Sequence, residues 1–306
     1  MFRPEWPPEE LPEFARAAER DGFDELWLIE DCFLVGGLTM AASALAVTDT
    51  LRVAIGLLPA AMRNAAIAAM EIAGVARLHP GRFVATFGHG VEEWMRQVGA
   101  RPPDRLVALE ETVDAVRRLL AGQTLDVAGR HVSLDGVRLA HVPSQAPPVL
   151  IGTTGPRALA IAGRVADGFL LPEGSGPEAV RWASGVAGGA ACVYAWLSLD
   201  DDRDAAAEAL RPGLEAWRRM GLYPRLFELA GVGEDATSLS LDDVRAMAVA
   251  GDADDCARAV RALWDAGADS VALVPRHEDR DSQVSRFVSE VIPRLPVRNV
   301  NCGWDR

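Results

Sequence analysis

The chain of 306 residues carries 31 basic and 44 acidic side chains, a net charge of −13 and 49% hydrophobic residues. All the lysine-or-arginine positions are arginine, which excludes a lysine nucleophile, a pyridoxal Schiff base and a Walker-type phosphate loop. The acidic balance argues against a nucleic-acid partner or an anionic membrane surface and leaves the composition of a soluble enzyme.

The predicted elements of the first half alternate between helices and short apolar strands. In chain order, the pattern predicts a helix over 8–20, a strand over 25–29, a loop and buried helix within 32–48, a strand over 51–58, a helix over 64–78, a strand over 82–88 and a helix over 104–121. Continuous apolar runs of this length suit strands that are covered on both faces. Few residues precede the first helix, so either the first strand is short or the true start lies upstream.

The second half continues this alternation around two insertions. Residues 123–140 alternate polar and apolar side chains around Ala128-Gly129 and Asp135-Gly136, which predicts a small antiparallel hairpin. Strands are predicted over 149–152, 169–171, 191–199 and 269–274, helices over 157–165 and 256–265, a partly helical insertion near the barrel mouth over about 221–249, and a loose tail over 297–306. About eight such βαβ units close into a TIM (β/α)8 barrel, so we expect an α/β fold with a single domain over residues 1–296.

Active sites of α/β barrels form where the strands end, and this rule selects candidate residues. The candidates that follow predicted strands are Asp31, Cys32, Arg63, Gly88, His89, Gly90, Trp94, Gly152, Thr153, Thr154, Gly155, Arg157, Glu173, Arg276 and Arg280. His89 lies between two glycines and is the better candidate for proton transfer, whereas His79 before Pro80 suits a structural role.

Each candidate also has a structural interpretation. The segment from Gly152 to Arg157 either binds a phosphate at a helix start or simply joins strand to helix. At least one of Glu30 and Asp31 faces the site, or the carboxylate at this strand end forms a salt bridge to an arginine. Cys32 is either a site residue or a core thiol, and surface salt bridges are the alternative for the arginines.

Several classes of protein are disfavoured by missing patterns. The chain has no HExxH, no GxSxG and no complete GxGxxG motif, and its five histidines are scattered, so we expect no metal centre. The four cysteines form no CxxC pair, which indicates reduced thiols rather than disulfides or zinc ligands. The N-terminus lacks the apolar stretch of a signal peptide, and no run is long and apolar enough for a membrane span. We therefore expect a cytoplasmic protein.

The assembled segments resemble the luciferase-like monooxygenase superfamily, and most of all its deazaflavin-dependent oxidoreductases of the methylenetetrahydromethanopterin reductase type. The resemblance covers about residues 8–295 and lies in the order and spacing of several segments: 14–31, 63–64 with 68–73, 78–83, 88–90, 152–156, 159–164 and 166–168. It implies a TIM-type barrel that holds coenzyme F420, or alternatively FMN, across the strand ends. It also implies a non-proline cis peptide at Gly56-Leu57 and cofactor contacts from Gly88, Gly90 and the Gly152–Gly155 turn.

Two positions depart from the sugar-phosphate dehydrogenases of this superfamily. Where those enzymes carry an Asp-His pair after strand two, the chain has Asp31-Cys32, and where they carry Glu after the strand-four glycines, it has Val91. Oxidation of a sugar phosphate is therefore not expected. Because lysine is absent, arginine must bind any phosphate or polyglutamate tail, and Arg157, Arg276 and Arg280 are the candidates.

Three functions are compatible with these patterns. The favoured one is hydride transfer between F420 and a small imine, enone or pterin-like substrate, with His89, or Asp31 with Cys32, moving the proton. The first alternative is FMN-dependent monooxygenation. The second is a cofactor-free barrel that binds a ligand or serves a specialised pathway, which the changes at Cys32 and Val91 keep open. Homodimers are frequent in the superfamily, so a homodimer is also considered.

Overall fold

The structure is a computed structural model that describes residues 1–233, 235–276 and 278–297. The described chain forms two compact units, the first made of Met1–Thr153 with Arg157–Phe169, and the second of Thr154–Pro156 with the chain from Leu170 onward. The single domain expected over residues 1–296 stays a prediction. The tail predicted over 297–306 lies outside the described residues except for residue 297.

Parallel strands alternate with helices through the first unit. Its elements are α1 (Leu11–Arg20), β1 (Glu25–Leu28), α2 (Gly37–Ala46), β2 (Arg52–Pro59), α3 (Ala65–Leu78), β3 (Phe83–Gly88), α4 (Glu92–Gln97), α5 (Arg105–Leu120), β4 (Leu125–Ala128), β5 (Ser133–Val137), β6 (Val149–Gly152), α6 (Pro156–Val165) and β7 (Gly168–Leu171). The division between the units passes through the turn before α6 and through β7. Almost every strand boundary in this list lies within two residues of its predicted position.

Side-chain caps fix where two of the long helices begin. The side chain of Asn64 accepts a hydrogen bond from the backbone N–H of Ala66 at the start of α3, and Asp104 accepts from Leu106 and Val107 at the start of α5. These bonds satisfy donors that the first helical turn leaves unpaired. The connections from strand to helix are therefore well defined at the end of the sheet where the candidate residues lie.

Four strands of the first unit form a parallel sheet in the order β1, β2, β3, β6. Leu28 lies opposite Ile55, Pro59 opposite Gly88, and Phe87 opposite Ile151. β3 is buried along its whole length, as expected for a strand covered on both faces. Because the strands are parallel, their carboxyl ends lie along one edge.

The first strand of the repeating pattern is reduced to a single bridge. Phe2 pairs in parallel with Leu28, and its N–H donates to the carbonyl of Trp27 at 2.9 Å. Phe2 is buried and packs edge-on against Trp6 and Phe14. Within the described residues, the bridge at Phe2 therefore takes the position of the first strand.

The predicted hairpin is present as the antiparallel pair of β4 and β5. The turn lies at residues 129–132, where the carboxylate of Glu111 accepts the backbone N–H groups of Arg130, His131 and Val132. Asp135-Gly136 lies inside β5, where Gly136 has a φ of 60° and the pairing shifts register. This dipeptide is therefore part of an irregular strand and not of the turn.

The second unit repeats the alternation with additional helices. Its elements are α7 (Pro177–Ala187), β8 (Ala190–Leu199), α8 (Arg203–Arg219), α9 (Pro224–Leu229), α10 (Leu241–Met247), β9 (Val249–Gly251), α11 (Ala253–Asp265), β10 (Ser270–Pro275) and α12 (Arg280–Arg286), followed by helical turns over Phe287–Val291 and Ile292–Arg294. The insertion predicted over about 221–249 contains α9 and α10, so its partly helical character is confirmed. Its last residue, Val249, begins a strand.

β8 is the central strand of the second unit. It pairs in parallel with β10 over Cys192–Leu197 and with β9 over Leu197–Leu199. The side chain of Gln283, 2% exposed, accepts the N–H of Leu199 and donates to its carbonyl, and so completes the hydrogen bonding of the strand end. In the described part of the chain, no helix combines the length and the apolar character that crossing a membrane requires.

Candidate active site

The candidate residues of the first unit lie where its parallel strands end. Asp31 follows β1, Leu57 lies near the end of β2, His89 follows β3 and Thr153 follows β6. The registers between these strands place their ends along the same edge of the sheet. Residues that are 26 to 64 positions apart in sequence therefore lie at one edge of the sheet.

The peptide bond between Gly56 and Leu57 is cis, which confirms the feature that the family resemblance implies. The register between β2 and β3 shifts between Gly56 and Leu58, so Leu57 is the extra residue of a bulge. Its side chain is half-buried, whereas both neighbours are buried. Leu57 thus presents an apolar surface at the strand ends.

Two predicted site glycines leave room for this leucine. A Cβ atom at Gly88 would lie 2.5 Å from Cδ1 of Leu57, and one at Gly152 would lie 2.0 Å from Cδ2. Gly90 has a φ of 70°, and a Cβ there would lie 2.9 Å from Sδ of Met95. A side chain at any of the three positions would therefore force Leu57 or Met95 to shift, and any cofactor contact from Gly88 or Gly152 would be made beside Leu57.

His89 combines a half-buried ring with an unpaired nitrogen. Its Nδ1 atom is buried and has no hydrogen-bond partner among the described residues. Burial and the nearby charge of Arg105 lower the pKa of His89 below its ordinary value of 6.5, and a hydrogen bond with the backbone of Arg105 opposes this shift. The imidazole is therefore neutral at pH 7 and keeps one nitrogen for a ligand.

Asp31 and Cys32 lie in surroundings that favour their protonated forms. Burial and the charge of Glu5 raise the pKa of Asp31, while Arg3 acts in the opposite direction. Burial and the neighbouring carboxylates also raise the pKa of Cys32, which is 8% exposed. Its Sγ lies 3.3 Å from Sδ of Met62. Cys32 is thus a thiol at neutral pH and not an activated nucleophile.

The salt-bridge interpretation of Glu30 is the one that the structure contains. Arg63 donates two hydrogen bonds to its carboxylate, at 2.5 and 2.8 Å, and the N–H of Gly37 donates a third at 2.7 Å. Glu30 is 8% exposed, and this interaction raises the pKa of Arg63. Arg63 also lies 3.4 Å from Glu71. Its charge is therefore compensated within the protein, which weakens the prediction that it binds a substrate phosphate.

Arg157 differs from Arg63 in its surroundings. It lies in the first turn of α6, is exposed, and forms no ion pair within the described ranges. Its neighbour on the same helix, Arg164, donates to Glu110 at 2.7 Å. Arg157 therefore offers an uncompensated positive charge beside the predicted turn. Trp94 on α4 is half-buried, and Val91 caps the same helix with 46% of its surface exposed.

The remaining candidates belong to the second unit. Thr154 and Gly155 are half-buried in the turn before α6, and Glu173 is half-buried just after β7. Arg276 donates to Asp279 at 3.2 Å, and Arg280 to Asp281 at 2.8 Å. Both arginines therefore already form ion pairs with neighbouring aspartates. His277, at the end of β10, lies outside the described residues.

One polar residue of this region was not selected from the sequence. Thr86 is fully buried in β3, two positions before Gly88, and its Oγ1 has no partner in the described part of the chain. Alternate residues of a strand share a face, so Thr86 lies on the same face as Gly88. The available signal was a single hydroxyl within the apolar run Phe83–Gly88.

Comparisons with known proteins agree with this architecture. A model of the luciferase-like monooxygenase family matches residues 3–270. The chain is 27% identical over 220 residues to a 5,10-methylenetetrahydromethanopterin reductase from Methanolobus tindarius, covering 68% of this chain and 67% of that protein. It is 28% identical over 323 residues to an F420-dependent glucose-6-phosphate dehydrogenase from Rhodococcus erythropolis, covering 94% of each.

A solved structure shares the fold over almost the whole chain. The coenzyme F420-dependent tetrahydromethanopterin reductase from Methanopyrus kandleri superposes with a TM-score of 0.77 at 21% identity, covering 96% of this chain and 98% of that one. This likeness confirms the predicted fold class, an α/β barrel of the TIM type with helices between parallel strands.

Proposed function

The chain belongs to the luciferase-like monooxygenase family, and we propose that it is an oxidoreductase that uses coenzyme F420 to transfer a hydride to or from a small organic substrate with a C=N or C=C bond. The observation that carries this proposal is the combination of the family match with the site at the strand ends of the first unit. The relatives named above include two F420-dependent enzymes, one acting on a pterin and one on a sugar phosphate.

The residues at the strand ends fit a flat heterocyclic cofactor. Leu57 offers an apolar surface, and the adjacent Gly88 and Gly152 have no side chain that could cover it. The Nδ1 of His89 and the Oγ1 of Thr86 have no partner among the described residues and belong to β3 or the position just after it, the same strand as Gly88, and we assign them to the carbonyl and N–H groups of such a ring. Coenzyme F420 supplies hydride transfer without oxygen activation.

Further residues suit the remainder of the cofactor. We assign the backbone of Gly90, Gly152, Thr153, Thr154 and Gly155 to contacts with it, and the guanidinium of Arg157 to its anionic tail. Arg157 is favoured over Arg276 and Arg280 because it is exposed and makes no ion pair in the part of the chain that the structure describes. Trp94 and Glu173 are assigned to the substrate.

The proton that accompanies the hydride is assigned to His89. A neutral imidazole donates one hydrogen bond and accepts another, so it orients a substrate nitrogen or oxygen at pH 7. Asp31 is the second candidate, since a carboxyl group with a raised pKa holds a proton that it can give. Cys32 is the weaker member of this pair because its thiol is buried against Met62.

The substrate is proposed to be something other than a sugar phosphate. The relatives that oxidise glucose 6-phosphate are expected to carry histidine and glutamate where this chain has Cys32 and Val91, so both proton-transfer groups of that reaction are changed. An imine, enone or pterin-like compound does not depend on those two proton-transfer groups.

The test is a fluorescence titration of the purified protein with F420 and, separately, with FMN. Trp27 and Trp94 lie in the first unit and provide the signal. Saturable quenching by F420 at micromolar concentration, with no effect of FMN, is the expected result. Preference for FMN would favour monooxygenation, the chemistry that the family name describes. Binding of neither would overturn the cofactor assignment and leave the cofactor-free alternative.

We also infer that two copies associate in the cytoplasm through one apolar face of the first unit. Ile67 and Met70 lie one turn apart on α3 and are 46% and 54% exposed. Met62, shortly before this helix, is 38% exposed, and its Sδ lies 3.3 Å from Sγ of Cys32, the neighbour in sequence of Phe33, which is 67% exposed. Contiguous exposed apolar residues mark interfaces. Met70→Glu should convert a dimer to a monomer in sedimentation velocity, whereas Met220→Glu, at a 63% exposed methionine of the second unit, should not.

A further inference from the structure

A cavity of about 340 Å³ lies within the second unit. It is partly open to solvent and is bordered by α7 and the segment that leads into it and by residues of α9, α10, α11 and β8. None of the candidate active-site residues is part of its described lining. The cavity is therefore a separate feature, and its volume falls within the range of small-molecule sites.

Small side chains create this space. Alanine methyl groups line it from β8 (Ala195), from α7 (Ala179) and from α11 (Ala259 and Ala262), and leucines of α9 close the opposite wall. Larger apolar side chains at these alanine positions would occupy this space. Most of the surface is apolar, so a ligand with an apolar body would gain from burial there.

Two hydrogen-bond donors without acceptors belong to the same lining. Ser175 is 2% exposed, and its hydroxyl has no partner among the described residues. The Nε–H of Arg245 is buried and equally unpaired. The two donors belong to neighbouring segments, because a Cβ atom on Gly176 would lie 2.0 Å from the carbonyl oxygen of Ala246. A buried donor without an acceptor is costly, and a ligand oxygen would satisfy it.

The charges near these donors argue for an uncharged ligand. The terminal nitrogens of Arg245 already bind Asp242 at 2.8 Å, the carbonyl of Arg203 at 3.0 Å, and Asp204. The other lining charges, Glu178 and Arg181, pair with each other. The guanidinium is thus compensated by two carboxylates, so a ligand carboxylate would meet net negative charge.

We propose that this cavity is a binding site for a neutral, apolar carbonyl compound of about ten non-hydrogen atoms, since a cavity of about 150 Å³ already takes up benzene. The carbonyl oxygen accepts hydrogen bonds from the Ser175 hydroxyl and the Arg245 Nε–H, and the hydrocarbon part lies against the alanines of β8 and α11. This site is independent of the proposed function of the strand ends.

The test compares two probes of the same shape by ligand-observed NMR titration. 1-Indanone carries a ketone oxygen, and indane lacks it. The wild-type protein should bind 1-indanone saturably and about thirtyfold more tightly than indane, the effect of two hydrogen bonds. Ser175→Ala should lower this preference to about fivefold, the effect of the remaining bond from Arg245, without changing the affinity for indane. Ser184→Ala is the matched control, because its hydroxyl is also buried and unpaired but does not line the cavity.

A second variant tests the location. Ala262→Leu narrows the cavity from α11 and should weaken the binding of both probes at least tenfold while the melting temperature stays within a few degrees of wild type. Saturable binding that survives Ala262→Leu would place the probes elsewhere and overturn the proposal. An equal loss of both probes in Ser175→Ala, or no saturable binding by the wild type, would overturn it as well.

Discussion

The side chain of Leu57 occupies the space that a Cβ atom on Gly152 would need, with Cδ2 only 2.0 Å from that position. The two residues are separated by almost a hundred positions and belong to β2 and β6, which lie on opposite sides of β3. Leu57 therefore extends over the neighbouring strand end, and the glycines beneath it are part of one packing arrangement. The cofactor surface that we propose depends on this arrangement.

Substitution at Gly152 tests this dependence. Gly152→Ala forces Leu57 to move and should destabilise the protein by about 1–3 kcal/mol, the usual cost of overpacking, while weakening F420 binding. Urea unfolding and the fluorescence titration measure the two effects. Adding Leu57→Ala should restore the stability but not the F420 affinity, because the apolar surface is then lost.

Gly74 provides the control for this experiment. It lies in α3, and a Cβ atom there meets nothing within 4 Å. Gly74→Ala should stabilise the protein by about 0.4–1 kcal/mol because it lowers the entropy of the unfolded chain. If Gly152→Ala behaved like Gly74→Ala, the packing account of Leu57 would be wrong.

The alternation of helices and strands was predictable because each covered strand is a short, continuous apolar run. The strands β2 and β3 and the helices α3 and α5 begin and end within one residue of the predicted bounds. Helix α8 was not predicted, although Asp202 caps its start, because Pro212 within its span is unfavourable in a helix interior. Strand β9 has only three residues, too few to show any period, and only its first residue, Val249, lies in the predicted insertion.

The sequence predicted which residues lie at the strand ends, but it did not predict which of them form ion pairs or hydrogen bonds with one another. The rule that barrel sites form at strand ends selected His89 and Arg157, whose Nδ1 atom and whose charge, respectively, have no partner among the residues that the structure describes. It could not show that Arg63 binds Glu30, because these residues are 33 positions apart and meet only after the sheet forms. The unpaired hydroxyl of Thr86 was also missed, since one threonine in an apolar strand is ordinarily unremarked.

Glu19 should make stability depend on pH. Its Oε1 accepts hydrogen bonds from the N–H groups of Asp49, Thr50 and Leu51 at 2.6–2.9 Å, and from the Thr50 hydroxyl. Hydrogen bonding led by the backbone of Thr50 lowers the pKa of Glu19 from 4.5 to about 2. Because the folded-state pKa is the lower one, the stabilisation is complete above about pH 5 and is lost as the pH falls towards 2.

The variant Glu19→Gln isolates this contribution. At pH 7 it should lower the free energy of unfolding by about 1–3 kcal/mol, the value of hydrogen bonds to a charged group. The difference from wild type should shrink between pH 5 and pH 3 in urea titrations. Glu13→Gln on the same helix removes only exposed pairs with Arg16 and Arg20 and should cost less than about 1 kcal/mol. A difference for Glu19→Gln that stayed constant down to pH 3 would contradict the assignment.

His89 should titrate below its ordinary range. Because its pKa is lower in the folded protein, the unfolded chain binds a proton at a higher pH than the folded one does. The free energy of unfolding therefore falls as the pH decreases through 6.5, and His89→Gln should remove this loss. If the imidazole also moves the proton, the variant should lower kcat by roughly 10²-fold with little change in F420 affinity. NMR titration of the ring gives the pKa, and His79→Gln, at the other histidine with a lowered pKa, serves as control.

Arg157 should determine the affinity for the anionic tail of the cofactor. Arg157→Ala removes an exposed charge that has no ion pair in the described ranges, so the fold should be unaffected while the Kd for F420 rises about tenfold. The Kd should also become less sensitive to salt, since one fewer charge attracts the ligand. Arg164→Ala, on the same helix but paired with Glu110, should leave the F420 affinity unchanged. Equal F420 affinities for wild type and Arg157→Ala, at low and high salt alike, would assign the tail to Arg276 or Arg280 instead.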